Sequence, residues 1–267
     1  MLAVHDLGGR GPVLLLVHAT GLHGRVWTPV ASGLADRFHC LAPDVRGHGE
    51  SPPSPSGDMA WEGLAADLAA VVDSVGAQPV LGLGHSLGAT LLLLAEEARP
   101  GTWAGLYCVE PIGVATDAPP PPQPAHPMAA RAAARRDDFG SRSEARAAYA
   151  AKPPFDAVDA AALDAYVEHG FADVPGGGIR LRCRPSDEAA AFAAGLSHPV
   201  YRDLARVAPP VTLAVGERST VTDPSAMGTW AARLPDGRVE VLAGLGHFAP
   251  LEDPAAVARS VARAFAR

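Results

Sequence analysis

Gly84-His85-Ser86-Leu87-Gly88 sets a serine between two glycines, with the apolar run 80–84 directly before it and the apolar stretch 87–98 directly after it. A serine on such a strand-to-helix turn is presented away from a sheet as a nucleophile. The glycines let strand and helix approach closely enough to hold a sharp turn, and the helix N-terminus offers amides and a favourable dipole to a developing oxyanion. A serine hydroxyl also needs a base. Gly246-His247-Phe248 provides one in a loop between the last apolar run and a helix start at Glu252-Asp253-Pro254. Ser86 and His247 in this order predict attack on a carbonyl through a covalent acyl intermediate. His85, inside the motif, is expected to pack rather than to meet substrate.

An imidazole that becomes cationic during the reaction requires an anion on its other nitrogen, to fix the tautomer and balance the charge. Glu110 is the first choice. It ends the apolar run 106–109, directly before Pro111, at the carboxyl edge where open sheets place their ligands. A carboxylate closing an apolar strand also needs something to neutralise it, and His247 is one answer; an arginine of the following segment is the competing one. Asp223 is the alternative acid, although Asp223-Pro224 also reads as a helix start. Glu217 and a weakened dyad are the remaining options.

Short apolar runs alternate with longer amphipathic stretches, which predicts an α/β fold with a mostly parallel, doubly wound sheet covered by helices on both faces. Residues 13–17, 38–42, 80–84 and 106–109 are the first strands, and 26–35, 61–75 and 87–98 the helices between them. Only 2–4 precede them as strand material. From Thr116 the composition changes: Pro119 to Pro122, Pro124 and Pro127 predict a stiff extended linker. An Ala- and Arg-rich helical region over 128–149, a helix over 159–169, a Gly176-Gly177-Gly178 turn and a helix over 186–194 follow. These divide the chain into a core of 1–114 and 208–267 and a helical lid of 115–207 inserted before the last strands. Strands at 211–215 and 239–242 and helices at 224–234 and 254–266 complete the core. The lid's alanines and its Phe139, Phe155, Tyr166, Phe171 and Phe192 predict a mainly apolar pocket, with the aromatics read more as lid core than as substrate contacts. His169 is a less favoured contact.

The composition limits the partners. The 267 residues carry 22 Lys and Arg against 29 Asp and Glu, a net charge of −7, so nucleic acid is not expected. Residues 13–17 and 91–95 are the longest apolar stretches, far short of the roughly 20 residues of a membrane span. The N-terminus lacks a secretory pattern, so a cytoplasmic location is expected. Cys40, Cys108 and Cys183 are scattered and odd in number, and no histidine pattern matches a metal site; neither disulfide, metal nor other cofactor is expected. The chain is expected to act as a monomer or homodimer.

His18-Ala19-Thr20-Gly21 with Trp27, Asp44-Val45-Arg46-Gly47-His48-Gly49-Glu50-Ser51, the turn at Ser86, and Gly246-His247 with Glu252 and Pro254 together resemble the α/β-hydrolase superfamily. The similarity is to its capped, single-domain esterase and haloperoxidase-like members, and covers nearly the whole chain apart from the lid. It implies an oxyanion hole from the amides of Thr20 and Leu87, with Ala19 where the family usually has glycine. It also implies that the Asp44 to Ser51 loop supports the site structurally. The family's usual acid falls in a G-x-x-D stretch, but here the residues are Gly216-Glu217-Arg218-Ser219. Some members, among them haloalkane dehalogenases and certain fungal lactonases, carry the acid after the strand equivalent to 106–109. The implied activity is hydrolysis of carboxylic esters or lactones of small, mainly apolar substrates. Perhydrolysis, acyl transfer to an alcohol and carbon–carbon bond hydrolysis use the same residues. A non-catalytic ligand-binding protein on this fold is a further reading, which Ser219 favours and an intact Ser86 and His247 disfavour.

Overall fold

The structure, a computed structural model, describes residues 1–54, 56–76, 79–113, 127–195 and 203–266. Seven strands form the central sheet in the order β1-β3-β2-β4-β5-β9-β10. β1 (Val4–Gly9) runs antiparallel to β3 (His39–Pro43) at one edge. β2 (Val13–Val17), β4 (Val80–His85), β5 (Gly105–Val109), β9 (Val211–Gly216) and β10 (Gly237–Leu242) continue the sheet in parallel. β2, β5 and β9 are buried at every position, which is why they read as unbroken apolar runs rather than alternating ones.

The two faces still separate by residue parity. Leu14 and Leu16 pack with α1 (Thr28–Ser32) and α10 (Pro254–Ala264). Val13, Leu15 and Val17 pack on the other face with α2 (Trp61–Val75), α3 (Leu87–Ala98) and α8 (Pro224–Ala231). This arrangement brings the carboxyl ends of β2, β4, β5, β9 and β10 to one edge.

The described part of the insertion between β5 and β9 contains α4 (Pro127–Ala133), β6 (Asp138–Phe139), α5 (Arg142–Ala150), α6 (Ala160–Gly170), β7 (Phe171–Asp173), β8 (Ile179–Leu181) and α7 (Pro185–Gly195). A short helix, α9 (Ala249–Glu252), precedes α10.

Several elements differ from the sequence expectations. The lid is not purely helical: β6, β8 and β7 form a small antiparallel sheet. The helical stretch expected over 128–149 is broken at Asp138–Phe139, which pairs with Arg180 and Ile179. Ser141 then caps α5 by accepting from the Glu144 amide at 3.1 Å. The three-glycine turn closes the β7–β8 hairpin, with all three residues at positive φ. β1 extends to Gly9, well beyond 2–4, because an edge strand with Asp6, Gly8 and Gly9 has little apolar pattern to betray it. The helix expected over 26–35 is a 3₁₀ turn at Gly24–Trp27 followed by the short α1. The proline linker expected from Thr116 lies outside the described residues as far as His126, and its last proline, Pro127, instead opens α4. Among the described residues no helix is long and apolar enough to cross a membrane.

Candidate active site

β4 ends at His85 and α3 begins at Leu87, so Ser86 alone makes the turn between them. Its backbone sits at φ 52° and ψ −117°, a conformation that typically costs a non-glycine residue about 1–3 kcal/mol and persists only where the surroundings impose it. Both motif glycines help impose it. A Cβ on Gly84 would lie 2.6 Å from the Ala89 nitrogen, and one on Gly88 would lie 2.2 Å from the Val17 carbonyl oxygen. The Ser86 amide donates to the Val109 carbonyl at 2.9 Å, tying the turn to β5.

Among the described residues, Glu110 is the other non-glycine residue at positive φ, 53°. Its amide donates to the Ala214 carbonyl at 2.7 Å, so the strained position is anchored to β9. The side chain is fully buried. Oε1 accepts from the Gly216 amide at 2.7 Å, and Oε2 accepts from Ser219 Oγ at 2.7 Å and from His247 Nδ1 at 2.8 Å. Burial works against the ionised form, but the hydrogen bonds from His247, Ser219 and Gly216 outweigh it and hold the carboxyl below its ordinary range. With an ionised acceptor on Nδ1, that nitrogen carries the hydrogen and Nε2 keeps its lone pair.

The other two carboxylates are engaged elsewhere. Asp223 is exposed and caps α8, accepting from the Ser225 amide at 2.8 Å. Glu217 is exposed and accepts from the Gly244 amide at 2.7 Å. The structure therefore brings Glu110, of the three candidates, against His247.

Three supports of this arrangement carry no mark in the sequence. Ser219, at the position of the G-x-x-D aspartate, donates to the Glu110 carboxylate, while its own oxygen accepts from the Val221 and Thr222 amides, both at 3.2 Å. His85 does more than pack: its Nε2 lies 2.8 Å from the His247 carbonyl oxygen. Burial, reinforced by His247, lowers its pKa to about 3, so the neutral ring donates that bond. Glu252 accepts from the amides of Gly246 at 2.8 Å and Phe248 at 3.2 Å, bracketing His247. Side-chain bonds to backbone leave no periodic trace in a sequence. The available signal for His85 was that a buried ring nitrogen must find a partner.

On the other side of Ser86, the loop after β2 holds Thr20. Among the described residues neither the Thr20 nor the Leu87 amide donates a hydrogen bond. His18 fixes this loop, its Nε2 accepting from the Val45 amide at 2.9 Å and its Nδ1 donating to the Ala19 carbonyl at 2.8 Å. Burial, with His48 nearby, lowers its pKa to about 3 and keeps the ring neutral. Asp44 supports the same region by accepting from His5 at 2.8 Å, Gly24 at 2.6 Å and Glu50 at 2.7 Å.

A cavity of about 410 Å³ opens between the Thr20–Leu22 loop, Phe248 and the lid. Phe139, Phe155, Tyr166 and Phe192 face it, whereas Phe171 is fully buried in the lid core. His169 packs edge-on against His23 and is not part of its wall. Arg135 reaches the wall from the end of α4, paired with Glu188 and donating to Tyr149 Oη at 2.7 Å and Tyr166 Oη at 2.9 Å. Among the described residues no three His, Cys, Asp or Glu side chains converge as a metal site would require.

A model of the alpha/beta hydrolase family matches residues 14–260. A 2-(acetamidomethylene)succinate hydrolase of Mesorhizobium japonicum is 30% identical over 246 residues, which are 90% of this chain and 83% of that protein. A pimeloyl-(acyl-carrier protein) methyl ester esterase of Methylococcus capsulatus is 38% identical over 101 residues, 38% of this chain and 37% of the esterase. The solved E-2-(acetamidomethylene)succinate hydrolase superposes with a TM-score of 0.85 at 25% identity, covering 100% of this chain and 95% of that one.

Proposed function

Because the chain belongs to the alpha/beta hydrolase family, we propose that it is a serine hydrolase of carboxylic esters or lactones in which Ser86, His247 and Glu110 act together. Ser86 Oγ attacks the substrate carbonyl while His247 Nε2 takes its proton, and Glu110 balances the imidazolium that results. The amides of Thr20 and Leu87 receive the oxyanion, each such donor contributing on the order of 3 kcal/mol to lowering the barrier. Collapse of the tetrahedral intermediate breaks the ester bond, with His247 returning the proton to the departing alkoxide. Water then attacks the acyl-Ser86 with His247 again as base, and Ser86 is regenerated as the acid leaves.

The observation that carries this reading is the 2.8 Å bond between His247 Nδ1 and a buried, strained Glu110. That carboxylate is buried, backbone-anchored and bonded to the one imidazole in the loop after β10. The test is a panel of aryl esters and lactones assayed with wild type and Ser86→Ala. Turnover by the wild type that is lost in a folded Ser86→Ala supports the reading. Undiminished turnover in that variant overturns it. Adding an alcohol acceptor and analysing the products separates hydrolysis from acyl transfer.

A further inference from the structure

The charge around the cavity is opposite to that of the chain. Arg131, Arg135, Arg136 and Lys152 line it against a single carboxylate, Glu188, whereas the whole chain has 22 Lys and Arg to 29 Asp and Glu. Two of the four cations are already balanced. Arg135 pairs with Glu188, and Arg136 pairs with Glu144 at 2.8 Å while its guanidinium carbon lies 4.1 Å from the Phe139 ring centre. Arg131 and Lys152 have no acidic partner among the described residues.

Neutral donors accompany these charges. Tyr149 and Tyr166 both accept from Arg135 Nη2, so each keeps its own hydroxyl proton to donate. One can go to the neighbouring tyrosine; the other is left for whatever occupies the cavity. The remaining wall is mainly apolar, with Leu22, Met128, Pro154, Phe155 and Phe248 among its residues. A wall of this kind holds an apolar body and leaves the excess positive charge to one end of the ligand.

We propose that the cavity selects esters whose acyl or alcohol arm ends in a carboxylate, received by Arg131 and Lys152 with a tyrosine hydroxyl beside them. This rests on the serine-hydrolase reading for the position of the reacting carbonyl. The apolar middle of such a substrate lies along the phenylalanines, and its carboxylate replaces hydration of the two cations with charge-assisted hydrogen bonds.

The test compares the p-nitrophenyl monoester of glutaric acid, which carries a free carboxylate, with neutral p-nitrophenyl butyrate. Wild type is expected to favour the acidic ester in kcat/KM, and 0.5 M salt to reduce that preference. Arg131→Ala/Lys152→Ala is expected to lower the acidic-to-neutral ratio of kcat/KM roughly tenfold or more, through KM of the acidic ester. Arg180→Ala, which removes an exposed cation of β8 that is not in the cavity wall, is expected to leave the ratio unchanged. A wild-type preference for the neutral ester, or an unchanged ratio in the double variant, overturns the proposal.

Binding of glutarate to Ser86→Ala, measured by calorimetry with and without the two lid substitutions, separates this site from the catalytic reading. If neither ester is hydrolysed but glutarate binding depends on Arg131 and Lys152, the catalytic reading fails and the anion site stands. If the esters are hydrolysed at Ser86 but glutarate binds equally with and without the two cations, the anion site fails alone.

Discussion

The sheet edge and the lid, whose cavity takes the Thr20–Leu22 loop and Phe248 from the core, are constructed in opposite ways. At the edge, the polar atoms around the proposed machinery are held from the backbone outward: Gly216 and Ser219 hold Glu110, His85 and Glu252 hold the His247 loop, and two residues sit at strained φ to complete the turn. In the lid, small helices and a three-stranded sheet pack through alanines and aromatics, and the polar groups facing the cavity sit on long side chains such as Arg131 and Lys152. Rigidity at the edge suits groups that must hold reacting atoms within a few tenths of an ångström. The lid's long side chains suit recognition of an end of the substrate remote from the bond that breaks. Substitutions at the edge should therefore act on kcat, and substitutions in the lid on KM.

The largest effect is expected from Ser86→Ala, a fall in kcat on the order of 10⁵ or more at unchanged thermal stability, measured with the best ester. Glu110→Gln comes next, with a loss on the order of 10³ to 10⁴ in kcat, since an amide cannot balance an imidazolium and can present the wrong hydrogen to Nδ1. In wild type, a folded-state Glu110 pKa below its ordinary value means that its stabilising contribution is complete above the ordinary value and is lost as pH falls from there through the lowered one. The wild type should accordingly lose that contribution progressively as pH falls from the ordinary carboxylate range towards the lowered value, as followed by thermal melts, and Glu110→Gln should lack it at neutral pH as well.

Ser219→Ala removes one of three donors to the carboxylate and should cost roughly tenfold in kcat with little change in KM. If KM changes instead, Ser219 belongs functionally with the lid and the contrast is wrong. Phe155→Ala, in the cavity wall, should raise KM several-fold with kcat within about a factor of three.

The smallest effect on activity is expected at Glu97, which lies in α3 away from the cavity. Burial, with Asp203 nearby, raises its pKa to about 8 from 4.5. The folded chain keeps a proton that the unfolded chain gives up, so this residue makes stability fall as pH rises from about 4.5 towards 8. Glu97→Gln should flatten that part of the stability profile by on the order of 2–4 kcal/mol while leaving kcat/KM unchanged.

The two regions also differ in how much of them could be read from the residues alone. The core strands bury both faces, so continuous apolar runs mark β2, β4, β5 and β9, and α2 and α3 are legible to the residue. Ser86 and Glu110 are legible for a related reason: a glycine-flanked serine and a carboxylate closing an apolar strand are locally out of keeping with packing. The small lid sheet was hidden because two- and three-residue strands cannot establish a period against alanine-rich surroundings. Ser219 and Glu252 were hidden because their partners lie far along the chain or in the backbone. The cavity's charge is hidden because Arg131 and Lys152 come together with each other and with Phe248 only through the fold.

The assignment of Glu110 rather than Asp223 as the acid behind His247 is tested most directly by the rate at which a fluorophosphonate labels Ser86. Wild type and Asp223→Asn should label at the same rate, Glu110→Gln should label at least about a thousandfold more slowly, and Ser86→Ala should not label at all. Wild-type labelling in Glu110→Gln together with slow labelling in Asp223→Asn would contradict the account.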